Sequence, residues 1–287
     1  PLLIDALGDP SLVVRWGAAR AIGRIGKDAT SAVPALAAAL DDPGLQVRWA
    51  AAKSLWAIGP QAAAAAPQLV GALDDPDWVV RWSAARALGA LATEQAPVVA
   101  ALAASLADGD SRVCEAAAFA LEQLGPSATA ALPALSRAAT ATGDAEADAS
   151  CQVIDVGPAA EELLMQSGWT VRWASVRALG VVGIDNADAM PALLQATTDE
   201  QWQVRGIALL AIGQSKTAST ASSVTAVSKA LQDDMAPVRK AAAIALGRIG
   251  PAARPALQAL QDRATADADD AVREAAQTAV DTLANYR

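Results

Sequence analysis

Few residues in this sequence are of a type that performs chemistry. Its 287 residues include no histidine, which removes the commonest general base and metal ligand of proteins. Cys114 and Cys151 lie too far apart in the chain for a zinc site. We expect buried, inert thiols, and a disulfide between them stays open. Since phosphate-loop and nucleophile-elbow motifs are also missing, the sequence predicts no catalytic residue, no metal site and no cofactor.

Three pairs of adjacent carboxylates resemble acid–base machinery: Asp41-Asp42, Asp74-Asp75 and Asp233-Asp234. Each pair falls between two predicted helices, where aspartate commonly forms turns and caps the helix that follows. Capping therefore explains these pairs better than catalysis does.

The most distinctive pattern is a tryptophan two residues after a recurring valine, with a cation four residues further on. Residues four apart are neighbours on a helix, so each tryptophan can lie beside its cation. The four pairs are Trp16 with Arg20, Trp49 with Lys53, Trp82 with Arg86 and Trp173 with Arg177.

The elements that hold these residues repeat along the chain. The valine recurs every 33 or 34 residues except across one gap of 58, at Val14, Val47, Val80, Val113, Val171, Val204, Val238 and Val272. Prolines of similar period open a preceding helix, because proline suits the first helical turn. Each unit is therefore two helices, and units must stack because one pair cannot bury its apolar stripe alone. The pattern predicts an all-α fold.

We predict about nine units in a single domain, 1–287. Regular repeats cover 1–125 and 184–287, and degenerate or shortened repeats cover 126–183. The middle, at about 140–170, is predicted to be irregular and to introduce a kink. Gly23, Gly26 and their equivalents, including Gly183, are predicted to end second helices, with a left-handed residue at the glycine that follows the last turn.

This pattern resembles the HEAT repeat, and most closely the HEAT-like repeats of bacterial phycobilin lyase subunits. The residues that carry the resemblance are the turn aspartate, the Val-Arg pair, the alanine four residues after the valine, and the Leu-Gly or Ile-Gly ending. The resemblance implies a right-handed α-solenoid whose second helices line the concave face.

The turn aspartate precedes the arginine of the Val-Arg pair by six residues in six units. The resemblance implies that these residues form a ladder, in which each arginine bonds carbonyls and aspartates across adjacent turns. The ladder residues are Asp9, Arg15, Asp42, Arg48, Asp75, Arg81, Asp199, Arg205, Asp233, Arg239, Asp267 and Arg273. The register breaks at Cys114, which stands where arginine is expected, and at Gln166, which stands where aspartate is expected.

By the same resemblance the tryptophan–cation pairs lie on or beside the inner surface, where two interpretations stay open. In the first, the tryptophans pack repeat on repeat and the cations shield their edge. In the second, the pairs form a stripe that binds an extended peptide or helix with acidic and apolar side chains. Trp56 stands alone, two turns beyond Trp49, and Trp78, Trp169 and Trp202 are expected near the rim.

The sequence therefore predicts a non-catalytic protein-interaction scaffold or assembly subunit, which uses the concave stripe and an N-terminal end without a polar cap. The alternative is a phycobilin lyase-type or chaperone-like subunit that binds a tetrapyrrole, a bilin, and its acceptor protein. The net charge of −9 argues against nucleic acid, and no apolar run is long enough for membrane insertion. The absence of a visible signal peptide favours the cytoplasm.

Overall fold

The computed structural model describes residues 1–92, 96–141 and 169–285, and within these ranges every regular element is a helix. The predicted all-α fold is confirmed. The α-helices, in chain order, are α1 (Leu2–Ala6), α2 (Leu12–Ile25), α3 (Val33–Ala38), α4 (Leu45–Ile58), α5 (Ala66–Gly71), α6 (Trp78–Ala90), α7 (Ala96–Ser105), α8 (Ser111–Leu124), α9 (Leu132–Ala139), α10 (Trp169–Val182), α11 (Met190–Ala196), α12 (Trp202–Gln214), α13 (Ala221–Ala230), α14 (Ala236–Ile249), α15 (Leu257–Ala266) and α16 (Asp270–Asn285).

Contacts divide the chain into two compact units, an N-terminal one of Pro1–Ala134 and a C-terminal one that includes Trp169–Arg287. In the N-terminal unit the second helices α2, α4, α6 and α8 lie side by side, and the first helices α1, α3, α5 and α7 each pack on their own second helix. In the C-terminal unit α10, α12, α14 and α16 form the corresponding layer, with α11, α13 and α15 against it. Each unit is thus built from stacked helix pairs.

The recurring valine is buried in the second helices that lie between two others, whereas Val14 of α2 is exposed. Val47, Val80 and Val113 are fully buried, as are Leu36 and Leu69 of the first helices. The first repeat differs, since Leu2, Val13 and Ile25 are exposed by 84%, 65% and 50%. These residues lie at the end for which the sequence predicts no polar cap.

Glycines inside the second helices set how closely neighbouring helices approach, and the prediction that Gly23 ends a helix is wrong. Gly23 lies within α2, and a Cβ there would stand 2.4 Å from the Oγ of Ser54 in α4. At Gly213 in α12 a Cβ would stand 2.6 Å from the Cα of Ala245 in α14. The repeated glycine therefore serves close helix packing. Gly89, Gly180 and Gly247 occupy the same place in their repeats.

Four of the predicted helix-ending glycines do end helices, at φ angles between 62° and 73°: Gly26, Gly59, Gly125 and Gly250. Their ψ angles lie between −136° and −145°, in a region open essentially to glycine alone rather than in the left-handed helical region. Gly183 follows α10 without a positive φ, so the left-handed ending predicted there is wrong.

Most of the predicted irregular middle, with its kink, lies outside the described residues, as do Cys151 and Gln166. Among the helices that the structure describes, none is both long enough and apolar enough to cross a membrane.

Candidate functional site

The ladder arginines join each repeat to the next. Arg15 donates from Nε and Nη2 to the carboxylate of Asp42 at 2.6 and 3.0 Å, and from Nη1 to the backbone carbonyl of Asp9 at 2.9 Å. The aspartate six residues earlier therefore contributes its carbonyl, and the aspartate of the following repeat contributes its carboxylate. The same arrangement joins Arg48 to Asp75, Arg81 to Asp108, Arg205 to Asp233 and Arg239 to Asp267.

The remaining ladder residues follow this scheme with local differences. Arg172 donates to the carboxylate of Asp199 at 2.9 Å and also pairs with Glu200. Arg273, in the last described repeat, donates to the carbonyl of Asp267 and to the carboxylate of Asp270.

The turn aspartates do not cap second helices in the way the sequence predicts. Asp42 Oδ1 accepts from the backbone N–H of Gly44 at 2.8 Å, and α4 begins after Gly44 without a side-chain cap. Each carboxylate of this kind closes its own turn and binds the arginine of the preceding repeat. Among the second helices of the N-terminal unit that the structure describes, only α8 has a side-chain cap, from Asp110.

Cys114 occupies an arginine position of the ladder and behaves as a buried hydrophobic residue. Its thiol is 6% exposed and donates to the carbonyl of Asp108 at 3.2 Å. Burial raises the pKa of Cys114 to about 11, so the thiol stays protonated. The expectation of a buried thiol is confirmed for this cysteine.

The structure places each recurring tryptophan beside the cation four residues later. The distance from the ring centroid to the cation is 4.7 Å for Trp16 and Arg20, and 5.2 Å for Trp49 and Lys53. In the C-terminal unit, Trp173 and Arg177 make the same pair at 4.7 Å.

Arg86 lies between two indoles, and one of them belongs to the preceding repeat. Its guanidinium carbon is 5.2 Å from the ring of Trp82 and 4.7 Å from the ring of Trp56. Trp56 therefore does not stand alone. It occupies the α4 position that holds a close-packing glycine in α2 and α6, and its ring reaches over the cation on α6. An alignment of the repeats shows that Trp56 replaces this glycine, but it does not show that Trp56 contacts Arg86.

The tryptophans differ in how far they are buried. Trp49 is only 6% exposed, whereas Trp16, Trp56 and Trp82 are half-buried. The ring of Trp49 is thus almost fully enclosed, while the others keep part of their rings at the surface. The indole N–H groups of Trp16 and Trp49 are buried and have no acceptor among the described residues.

The charge on this side of the N-terminal unit is positive. The helices α2, α4 and α6 contain no acidic residue. Their ladder arginines are neutralised by aspartates, but four further cations have no carboxylate within 4 Å in the described part of the chain: Arg20, Arg24, Lys53 and Arg86. The next second helix, α8, has Phe119 and Gln123 at the positions equivalent to these cations, and Glu115 and Glu122 at the positions equivalent to Trp49 and Trp56.

We call this surface the tryptophan–cation face and define it by Trp16, Arg20, Arg24, Trp49, Lys53, Trp56, Trp82 and Arg86. At 100° per residue, Trp49, Lys53 and Trp56 lie within about 60° of one another around α4, on the side opposite Val47. A separate rim pair joins Trp78 to Arg112, whose guanidinium carbon lies 3.4 Å from the ring centroid. The described residues contain no cluster of three or more metal-binding side chains.

Comparisons with known proteins agree with the fold of stacked helix pairs. A family model described as HEAT repeats matches residues 1–89, 66–154, 158–228 and 218–281. A search of curated proteins found no match.

The chain is similar to several solved structures, among them the following three. An engineered protein is 24% identical, with a TM-score of 0.62, over 99% of this chain and 78% of its own. Kap95p, solved with RanGDP, is 14% identical, with a TM-score of 0.66, over 98% of this chain and 39% of its own. The CpcE–CpcF complex of phycocyanin lyase from Nostoc sp. PCC7120 is 22% identical, with a TM-score of 0.47, over 98% and 93%. At these identities the first two matches support the fold alone.

Proposed function

The chain belongs to the HEAT-repeat family, and we propose that it is a non-catalytic scaffold that binds another protein through the tryptophan–cation face. Stacked repeats create extended surfaces that such proteins use for binding, although the fold by itself does not specify a function. The observation that carries the proposal is the combination of four indoles and four unneutralised cations on one side of α2, α4 and α6.

The repeat does not need a tryptophan at the position held by Trp16, Trp49 and Trp82. The equivalent residues include Gly206 and Lys240, and a Cβ at Gly206 would meet no atom within 4 Å. In addition, a buried N–H donor without an acceptor costs roughly 1–3 kcal/mol of folding free energy, and the indole N–H groups of Trp16 and Trp49 are both of this kind. Stability of the stack alone therefore does not account for these tryptophans.

The chemistry of the face suits a protein interface. Tryptophan and arginine are the residues most enriched among those that dominate binding energy. The half-buried rings of Trp56 and Trp82 offer apolar area, and Arg86 between them is held with little freedom left to lose. We include Trp173 and Arg177 in the proposal, as a contact of the same kind on the C-terminal unit.

A photo-crosslinking experiment tests the proposal. A benzoylphenylalanine at Ala57, an exposed residue of α4 beside Trp56, is expected to form adducts with one protein in extracts of the source organism. The matched control carries the same group at Gln68, an exposed residue of the first helix α5. Adducts at 57 but not at 68 support the scaffold.

Two outcomes would overturn the proposed function. One is the absence of protein adducts at residue 57, or equal adducts at both residues. The other is a red-shifted absorbance on addition of a bilin that is lost on changing Trp16, Trp49 and Trp82 to alanine, because it would favour the tetrapyrrole-binding alternative.

A further inference from the structure

We infer that the partner segment bound by the tryptophan–cation face is an extended, acidic peptide that crosses α2, α4 and α6 in turn. This inference rests on the proposed function and adds the chemistry of the partner. It follows from the charge, spacing and orientation of the side chains on the face.

The positive charge of the tryptophan–cation face favours an acidic partner. The whole chain carries a net charge of −9, yet α2, α4 and α6 hold only cations. Arg15, Arg48 and Arg81 are matched by bidentate aspartates, so they contribute little to the outward field. The four other cations leave the face with a local charge of about +4, and a complementary surface is negative.

The spacing of the cations on three adjacent helices suits an extended peptide. Packed helices lie about 8–10 Å apart, so the cations of three adjacent helices span roughly 20 Å. An extended chain advances about 3.3 Å per residue, so about six to eight residues cross the face. A carboxylate at every third residue would then meet the cation of each helix in turn. The positions of α8 that are equivalent to these cations hold Phe119 and Gln123, so the row of cations ends after three repeats.

The orientation of the Arg86 guanidinium favours a carboxylate as its ligand. The guanidinium of Arg86 is flanked by Trp56 and Trp82, which holds its plane while leaving it without a carboxylate partner. A planar guanidinium binds a carboxylate with two parallel hydrogen bonds, so Arg86 is the natural anchor of the segment. The ring edges beside it provide contact for apolar side chains between the acidic ones.

Nucleic acid fits the same face poorly. The indoles of Trp16, Trp49 and Trp82 are each covered by a cation, so their rings are not free platforms for stacking bases. Moreover, four cations in a chain of net charge −9 do not offset the repulsion of a long polyanion.

Fluorescence anisotropy with defined probes tests the inference. The probe is a labelled octapeptide of repeating Glu-Leu-Asp, and its control replaces each Glu with Gln and each Asp with Asn. We expect the acidic peptide to bind at least about tenfold more tightly than the amide peptide. Its affinity is expected to fall as sodium chloride rises from about 50 to 300 mM, because the face is exposed to solvent.

Two triple variants with the same net charge locate the binding. Arg20→Gln, Lys53→Gln and Arg86→Gln together are expected to weaken binding at least about tenfold. Lys229→Gln, Lys240→Gln and Arg248→Gln, which remove three cations of the C-terminal unit, are expected to change it less than about twofold. Circular dichroism checks that both variants remain helical. Arg86→Lys is expected to restore part of the affinity of Arg86→Gln.

Equal binding of the two peptides, equal loss in the two triple variants, or tighter binding of an oligouridine of eight nucleotides would each overturn the inference. Its failure is distinguishable from failure of the scaffold proposal. Protein adducts at residue 57 without acidic-peptide binding would leave the scaffold standing and reject only the acidic partner.

Discussion

Replacing Asp267 with asparagine tests how much the arginine ladder stabilises the stack. The side chain of Asp267 is 1% exposed and accepts from Arg239 Nε and Nη2, both at 2.8 Å. It also accepts from the backbone N–H of Asp269 at 3.0 Å and pairs with Arg263 at 3.4 Å. Chiefly through the hydrogen bonds from Arg239, these contacts lower the pKa of Asp267 from 3.8 to about 2.

The lowered pKa of Asp267 determines how much its carboxylate stabilises the folded state and how that stabilisation depends on pH. One pKa unit corresponds to about 1.4 kcal/mol, so the carboxylate contributes roughly 2 kcal/mol to the free energy of unfolding at neutral pH. Because the pKa is lower in the folded state, this contribution is complete above about pH 4 and is lost as the pH falls towards 2. We expect Asp267→Asn to lose about 2 kcal/mol at pH 7 and to converge on the wild type near pH 2.

The assay is urea unfolding followed by circular dichroism, together with hydrogen exchange at the amides of α14 and α16. Hydrogen exchange is needed because repeats in a stack unfold locally. Asp234→Asn removes the same charge at an exposed position and is expected to change stability by less than about 0.5 kcal/mol. A loss below that limit for Asp267→Asn, or a difference from wild type that is independent of pH, would refute the reasoning.

Three further predictions concern other parts of the molecule. Gly213→Ala should lower the free energy of unfolding in urea by about 1–3 kcal/mol, because its Cβ would stand 2.6 Å from Ala245. Gly206→Ala in the same helix should raise that free energy by about 0.5–1 kcal/mol, because its Cβ would meet no atom within 4 Å. Equal effects of the two variants would contradict the packing role of Gly213. Trp82→Ala should reduce protein adducts at residue 57 several-fold while Trp202→Ala, equally half-buried, should not; parallel losses would indicate packing. In a Cys151→Ser background, Cys114 should react with Ellman's reagent at pH 8 about a hundredfold more slowly in the folded protein than in the urea-unfolded protein, because its pKa in the folded protein is about 11. Equal rates in the two states would show that the folded protein exposes a reactive thiolate.

The features predicted well from the sequence are those that depend on residues close together in the chain. The spacing of Val47 and Val80 predicts the second helices because burial recurs with each repeat. The pairing of Trp49 with Lys53 follows from the geometry of one helix turn. These arrangements require no knowledge of how neighbouring helices pack.

The features missed depend on contacts between repeats. Whether Gly23 ends α2 or lies against Ser54 is decided by the distance between two helices, which spacing in the chain does not report. The contact of Trp56 with Arg86 is of the same kind, since it joins α4 to α6. Both positions carry a signal that is visible only when the repeats are aligned, because they occupy the same place in successive second helices.

The two sets of cations on these helices have separate roles that follow from their five-residue spacing. Arg81 and Arg86 differ by five positions, which places them about 140° apart around α6. The first therefore points to the turn, where Asp108 neutralises it at 2.8 Å, and the second points to the face, where the indoles of Trp56 and Trp82 lie beside it. A ladder arginine without its aspartate would leave a half-buried charge unpaired, so the fold fixes that partner. Arg86 carries no such requirement, so its charge is available to the partner that we propose.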